Sequence, residues 1–218
     1  MFRMNQAHKL FLFDFDGVIV DSLEVYERRV KLCCEKIGQP IVQNRSDFVA
    51  LFEDNFYEAL VKKGVDLAQF MNVLNNIPTQ DDYDRMVPFA PVLPVLKELE
   101  KENDLVVISS NVSEVIHAVL SQHNFNGCFQ GVLGADFGYS KQDKIRQAMS
   151  LFQGDKGNTY YIGDTAGDIK EARLAGVNTV AVTWGWHTRE MLKTVRPDYL
   201  IDDARSLLNL TGNGRDSK

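Results

Sequence analysis

The sequence predicts an α/β protein: a doubly wound parallel sheet with a small all-helical segment inserted after its first strand. Three observations carry that prediction. Short, continuously apolar runs recur at residues 10–13, 105–108, 131–133, 159–162 and 179–182, with a weaker one at 199–201. Unbroken rather than alternating apolarity is what a strand covered on both faces requires. Helical patterns separate the later runs, and strand–helix alternation builds right-handed crossovers and a parallel sheet. The stretch between about residues 21 and 88 breaks the alternation and holds helical patterns with no convincing strand.

The elements follow in order. The first run ends in Asp14-Phe15-Asp16-Gly17, and the chain then enters the helical stretch. Residues 22–37 are amphipathic and stop before Gly38. Ser46 is a candidate N-cap for a single helix over 47–62, with Phe48, Leu51, Phe52, Ala59 and Leu60 near helical spacing and Gly64 as its stop. A third helix is expected over 66–75. Phe48, Phe52 and Phe56 read first as the core of this helical unit, which must bury an apolar face somewhere; lining a substrate pocket is the alternative. A helix over 91–101 leads to the second run. Helices over 113–122, 142–151 and 166–175 separate the rest, the first with Val115, Ile116, Val119 and Leu120 on one stripe. The expected division is a Rossmann-like core of residues 1–20 and 89–210, a helical insert of 21–88, and a polar, frayed tail of 211–218.

Composition narrows the function classes. The 218 residues allow one sizeable domain with a smaller insert. Apolar residues are 44% and charged residues 25%, as in an ordinary globular chain, and the net charge is −6. No basic cluster suggests a nucleic-acid polymer or a membrane surface as partner. No apolar run approaches the roughly 20 residues that span a bilayer, and no signal peptide is read at the start. Cys33, Cys34 and Cys128 show neither a disulfide framework nor metal-ligand spacing, which fits a reducing cytoplasm, with Cys33 and Cys34 as buried thiols. His8, His117, His123 and His187 share no ligand spacing, and Trp184 and Trp186, after the fifth run, are expected to pack.

The chemistry collects at strand ends. The first run ends in Asp14 and Asp16, the second in Ser109-Ser110-Asn111, and the fourth in Gly163-Asp164-Thr165-Ala166-Gly167-Asp168. In a parallel sheet those ends share one edge, where ligands bind at the topological switch point. Asp14, Asp16, Asp164 and Asp168 would crowd negative charge there, and two such charges at about 4 Å repel by roughly 4 kcal/mol at an effective dielectric near 20. The cluster either raises pKa values or holds a cation. Oxygen-only ligands select a hard ion, and Mg²⁺ suits a site that also grips a phosphate. Ser109 and the amides of Ser110 and Asn111 open a helix, where free N–H groups bind phosphate oxygens; Ser109 can equally be a plain helix cap. Lys141, at another helix start, can supply an ammonium that lets a carboxylate approach a phosphate; Lys144 is nearby. Asp168 can also act simply as a first-turn acid of its helix.

At these residues the sequence resembles the haloacid dehalogenase superfamily in its phosphatase branch, and the likeness spans nearly the whole chain. The first motif is DFDGVIVDS, from Asp14; the fourth is GDTAGD, from Gly163; both are specific. The serine motif is VVISSN and the lysine motif is YSKQDKI, each weaker alone. The resemblance implies that Asp14 is the nucleophile and Asp16 the general acid/base, whose main-chain carbonyl also touches the metal. It implies Ser109 on the phosphate, Lys141 rather than Lys144 as the lysine, Asp164 on Mg²⁺, and Asp168 on the metal or behind it. The helical insert looks like the family's small cap, with hinges near 17–21 and 84–91. The phosphoglycolate phosphatase-like group is the most similar in pattern, though Ala90-Pro91 stands where that group often has Pro-Gly. The implied activity is Mg²⁺-dependent hydrolysis of a small phosphorylated metabolite by a monomer or homodimer. A sugar phosphomutase using the same aspartyl phosphate remains the alternative. Dehalogenation is disfavoured, because that branch lacks a carboxylate at the position of Asp16.

Overall fold

All four side chains of the first strand, β1 (Leu10–Phe13), are buried, and a strand apolar on both faces belongs at the centre of a sheet. The computed structural model describes residues 8–78 and 80–211. The expected tail therefore lies almost wholly outside the described residues. After β1 come β2 (Val20–Asp21), α1 (Leu23–Lys36), α2 (Arg45–Ala50), α3 (Phe56–Lys62), α4 (Leu67–Asn76), α5 (Gln80–Tyr83) and β3 (Val87–Pro88). The chain continues through α6 (Val92–Leu99), β4 (Asp104–Ile108), α7 (Ser113–Gln122), β5 (Gly131–Leu133), α8 (Lys141–Leu151), β6 (Thr159–Gly163) and α9 (Ala166–Ala175). It ends in β7 (Asn178–Val182), α10 (Arg189–Thr194), β8 (Tyr199–Ile201) and a 3₁₀ segment, Ala204–Thr211.

The main sheet has six parallel strands in the order β5-β4-β1-β6-β7-β8. All six expected runs are its strands. Phe13 pairs with Val107 of β4 and with Ile162 of β6. Asp14 therefore leaves the sheet one residue short of the levels of Ser109 and Asp164, and the three strand ends meet at one edge. Phe11, Phe13, Leu105, Val107 and Ile162 pack with Val95, Leu96, Ile116 and Val119 on one side of the sheet. Leu12, Val106 and Tyr161 pack with Ile145, Ala148 and Ala172 on the other. Burying a side chain of this size contributes about 1.5–3 kcal/mol.

Helices α1 to α4 bury their apolar faces in a cluster of their own, built on Tyr26, Val30, Phe48, Leu51, Phe56, Leu60 and Phe70. Cys33 and Cys34 are fully buried in it, and the Phe stripe is core, as expected. Two expectations change here. The stretch does contain strand: β2 and β3 pair antiparallel, Val20 with Pro88 and Asp21 with Val87, forming a two-stranded neck where the chain leaves and returns. The single helix expected over 47–62 is two, α2 and α3. Asn44, not Ser46, caps α2 in a reciprocal box with Asp47. Asn55 then starts α3 afresh, its side chain accepting from the N–H groups of Tyr57 and Glu58. Such local side-chain bonds compete with helix continuation. Among the described residues no helix is long and apolar enough to cross a membrane.

Candidate active site

Asp14 is the first residue past β1, and its N–H is still held by the carbonyl of Ile162 at 2.8 Å. Its Oδ1 accepts from the N–H of Phe15 at 2.8 Å, and its Oδ2 accepts from Lys141 Nζ at 2.7 Å. Lys141 begins α8, which Ser140 caps through the N–H of Asp143. The ammonium also donates to Asp168 Oδ1 at 2.6 Å and is buried. Burial works against the Lys141 charge, but Asp14 and Asp168 outweigh it and hold the ammonium well above the ordinary lysine range. Lys144 takes no part in this contact, so Lys141 is the lysine that reaches Asp14.

Asp16 is two residues on. Its Oδ1 accepts from Ser22 Oγ at 2.6 Å, and its Oδ2 from Ser109 Oγ at 3.5 Å and Asn111 Nδ2 at 3.4 Å. Burial raises its pKa, against the pull of Ser22 and Asn111. Ser109 Oγ in turn accepts from the N–H of Asn111 at 3.0 Å. Asp14, Asp16, Ser109, Ser110 and Lys141 line one void of about 10 Å³, roofed by Tyr26, Phe52 and Trp186.

Asp14, Asp164 and Asp168 each place a carboxylate oxygen within 4.8 Å of the others. The carboxylate of Asp16 stands outside that group. Asp168 is already engaged: Oδ1 serves Lys141 and Tyr161 Oη, and Oδ2 serves the N–H and Oγ1 of Thr165 in a capping box at the start of α9. Burial opposes its ionisation, yet Lys141 and Thr165 hold its pKa below the usual value. Asp164 is the opposite case. Its Oδ2 accepts from the N–H of Trp186 at 2.6 Å, while its Oδ1 is buried with no partner. Burial and then Asp168 and Asp14 push Asp164 well up, and burial lifts Asp14 to about 7 even with Lys141 beside it. An orphaned, buried carboxylate oxygen beside further carboxylates fits a hard cation. The backbone leaves room for that group: a Cβ at Gly17 or at Gly185 would stand 2.2 Å from Asp164 Oδ2, and Gly17 also turns with φ +80°.

Five side chains make contacts around the site that were not legible in the sequence. Lys144 is buried and donates to the carbonyls of Ser109 at 2.5 Å and Gly134 at 3.2 Å. Tyr57 and Tyr26, from the helical segment, donate to the Ser110 carbonyl at 2.6 and 3.4 Å. Trp186 does pack, against Tyr26, Phe48 and Phe52, but it also roofs the void. His187 is buried between the Ala166 N–H at 3.0 Å and the Val49 carbonyl at 3.1 Å, which links the two halves of the molecule.

The model of the haloacid dehalogenase-like hydrolase family matches residues 11–182, which include every residue named at the void except Trp186. A phosphoglycolate phosphatase of Synechococcus elongatus is 27% identical over 200 residues, covering 90% of this chain and 94% of the relative. A pyrophosphatase, PpaX, of Oceanobacillus iheyensis is 25% identical over 143 residues, covering 64% of this chain and 66% of its own. The crystal structure of a predicted phosphatase from Clostridium acetobutylicum superposes with a TM-score of 0.81 at 20% identity, over 93% of this chain and 97% of that one. With a sheet, strand-end aspartates and lysine arranged as described, the chain belongs to the haloacid dehalogenase-like hydrolases, in their phosphatase branch.

Proposed function

We propose that the protein hydrolyses a small phosphomonoester in a Mg²⁺-dependent reaction that passes through an aspartyl phosphate on Asp14. The observation that carries this reading is the meeting of Asp14, Lys141 and the Ser109–Asn111 turn around one void, with Asp16 alongside. A phosphoryl group there would face Lys141, Ser109 Oγ and the N–H of Ser110, which has no acceptor among the described residues. Donors of this kind stabilise the charge that develops on the transferring oxygens.

In the first step an Asp14 carboxylate oxygen forms a bond to phosphorus as the ester P–O bond breaks. Asp16, whose raised pKa favours its acid form, gives its proton to the departing oxygen. In the second step Asp16 takes a proton from water, the water oxygen bonds to phosphorus, and the bond to Asp14 breaks. Phosphate leaves and both carboxylates are restored. Asp14 and Asp164, with the main-chain carbonyl of Asp16, would hold Mg²⁺, and Asp168 would stand behind them keeping Lys141 in place. Bound there, Mg²⁺ supplies the positive charge that lets a carboxylate and a phosphate dianion meet. The helical segment serves as a cap that opens for substrate and closes before the chemistry.

The test is phosphate release from p-nitrophenyl phosphate and a panel of phosphomonoesters, with and without Mg²⁺. Wild type should release phosphate only with the metal. Asp14→Asn should lose turnover by a thousandfold or more with its fold intact by circular dichroism. Asp164→Asn should lose the Mg²⁺ response. Wild-type rates in Asp14→Asn would remove it as nucleophile. Isomerised sugar phosphate without free phosphate would move the reading to a phosphomutase.

A further inference from the structure

The void over Asp14, at about 10 Å³, admits a single water and no leaving group. Tyr26 and Ser110, two of its walls, are also walls of a second cavity of about 700 Å³ between the helical segment and the core. The boundary between the two is crossed by the hydrogen bonds from Tyr57 and Tyr26 to the Ser110 carbonyl. Movement of the helical segment away from this turn would join the two spaces, and its return would restore these bonds over a bound substrate. The larger cavity is of the size that proteins use for small-molecule ligands, which runs from about 300 to 1,000 Å³.

Its charge is specific. Among the described residues three charged side chains line it: Arg29, Glu114 and Asp136. Arg29 is already committed. It donates to Asp82 Oδ2 at 3.0 Å and to the carbonyls of Pro78 and Leu74, and its side chain is 9% exposed against 2% for Asp82. Asp136 stays ionised: burial opposes it, but the N–H and hydroxyl of Ser113 hold its pKa below the usual value. Glu114 lies in the first turn of α7 and is exposed. Two carboxylates thus stand there, and the nearby cations are committed: Arg29 to Asp82, and Lys144, whose charge also helps hold Asp136 down, to the carbonyls of Ser109 and Gly134. The rest of the wall offers amides and hydroxyls, with Asn75, Asn76 and Tyr57 among them, and apolar surface from Met71 and Leu74.

We propose that this cleft receives the leaving group of the substrate, and that the leaving group is a neutral, hydroxyl-rich body of monosaccharide or nucleoside size. The inference rests on the phosphatase reading and adds the substrate class to it. Hydroxyls are matched by carboxylates, amides and tyrosines, which accept and donate without opposing charge. The carboxylate of glycolate, or the second phosphate of pyrophosphate, would face Glu114 and Asp136 with the already paired Arg29 as the one cation on the wall, and would leave most of the space empty. The names of the curated relatives point to those two anionic leaving groups, so the cleft separates this chain from them.

The experiment measures kcat/KM with Mg²⁺ for p-nitrophenyl phosphate, a hexose monophosphate, a nucleoside monophosphate, 2-phosphoglycolate and inorganic pyrophosphate. The better of the two neutral-leaving-group esters should exceed both anionic ones by at least tenfold. Glu114→Lys, an exposed change, should shift the ratio toward 2-phosphoglycolate by at least fivefold. A preference for 2-phosphoglycolate or pyrophosphate in wild type, or an unchanged ratio in Glu114→Lys, overturns the inference and leaves the phosphatase reading standing. Absence of Mg²⁺-dependent release from every ester, p-nitrophenyl phosphate included, removes the reading and the inference together.

Discussion

The phenol of Tyr57, on α3, donates to the main-chain carbonyl of Ser110, just past β4, at 2.6 Å. The bond ties the helical segment to the turn that faces the void. Tyr57→Phe removes it, and with it one hydroxyl of the cleft wall, but keeps the packing of the ring on Phe56 and Tyr139. Only the longer bond from Tyr26, at 3.4 Å, would remain on that carbonyl. A hydrogen bond of this kind contributes a net of about 0.5–1.5 kcal/mol. For a chain of this size that corresponds to a fall in Tm of about 2–4 °C per kcal/mol. The expected kinetic result is a three- to tenfold loss in kcat/KM for any ester, read by steady-state phosphate release. A variant with wild-type Tm and kinetics would show that the turn does not depend on the helical segment.

Lys144 holds the same turn from below. Its ammonium donates to the Ser109 carbonyl. In a trans peptide the C=O and the following N–H point opposite ways, so a carbonyl drawn toward Lys144 aims the Ser110 N–H away from it. Burial, then the neighbouring Lys141, push the Lys144 pKa down to about 7. The unfolded value is about 10.4, so between roughly pH 7 and pH 10 the unfolded chain binds the more protons. Stability contributed by this site therefore rises with pH across that window. Below about pH 7 both states are charged and the burial cost stands in full. Lys144→Met deletes the titration. In thermal unfolding from pH 6 to pH 10, the wild type should gain stability relative to the variant as pH rises. The variant should also lose at least tenfold in kcat/KM. Parallel Tm curves for the two proteins would rule out this titration.

The strands and the acids at their ends were legible because each is a local string. An unbroken apolar run followed by Asp14-Phe15-Asp16 or by Gly163-Asp164 needs only a few adjacent residues to be read. The residues that were missed act across the chain. Lys144 reaches Ser109 over 35 positions, Tyr57 reaches Ser110 over 53, and Tyr26 over 84. No spacing rule connects such pairs. The neck of β2 and β3 is two residues on each side, too short for any periodicity. The break between α2 and α3 is a different matter. Asn55 three residues before Glu58, like Asn44 three before Asp47, is a helix-start signal that the apolar spacing across 47–62 obscured.

That break has a consequence at Gly167, in the first turn of α9. Its N–H donates to the Phe52 carbonyl at 2.9 Å, and a Cβ at this position would lie 2.3 Å from the Asp54 carbonyl oxygen. The segment that interrupts the expected helix is thus seated on the start of α9. Lys170 Nζ holds it at the Glu53 carbonyl and at Asp54 Oδ1, each at 2.7 Å, and Asn55 Nδ2 reaches Glu171 Oε1 at 3.1 Å. In an unobstructed helix Gly→Ala stabilises by about 0.4–1 kcal/mol. Gly167→Ala should keep the core at least as stable as wild type by circular dichroism while pushing this segment away. The expected signature is faster proteolysis between residues 49 and 55, mapped by mass spectrometry, together with a tenfold or greater fall in kcat/KM. If the variant stays protected and active, the segment yields without opening the site, and its seat on Gly167 does not close the enzyme.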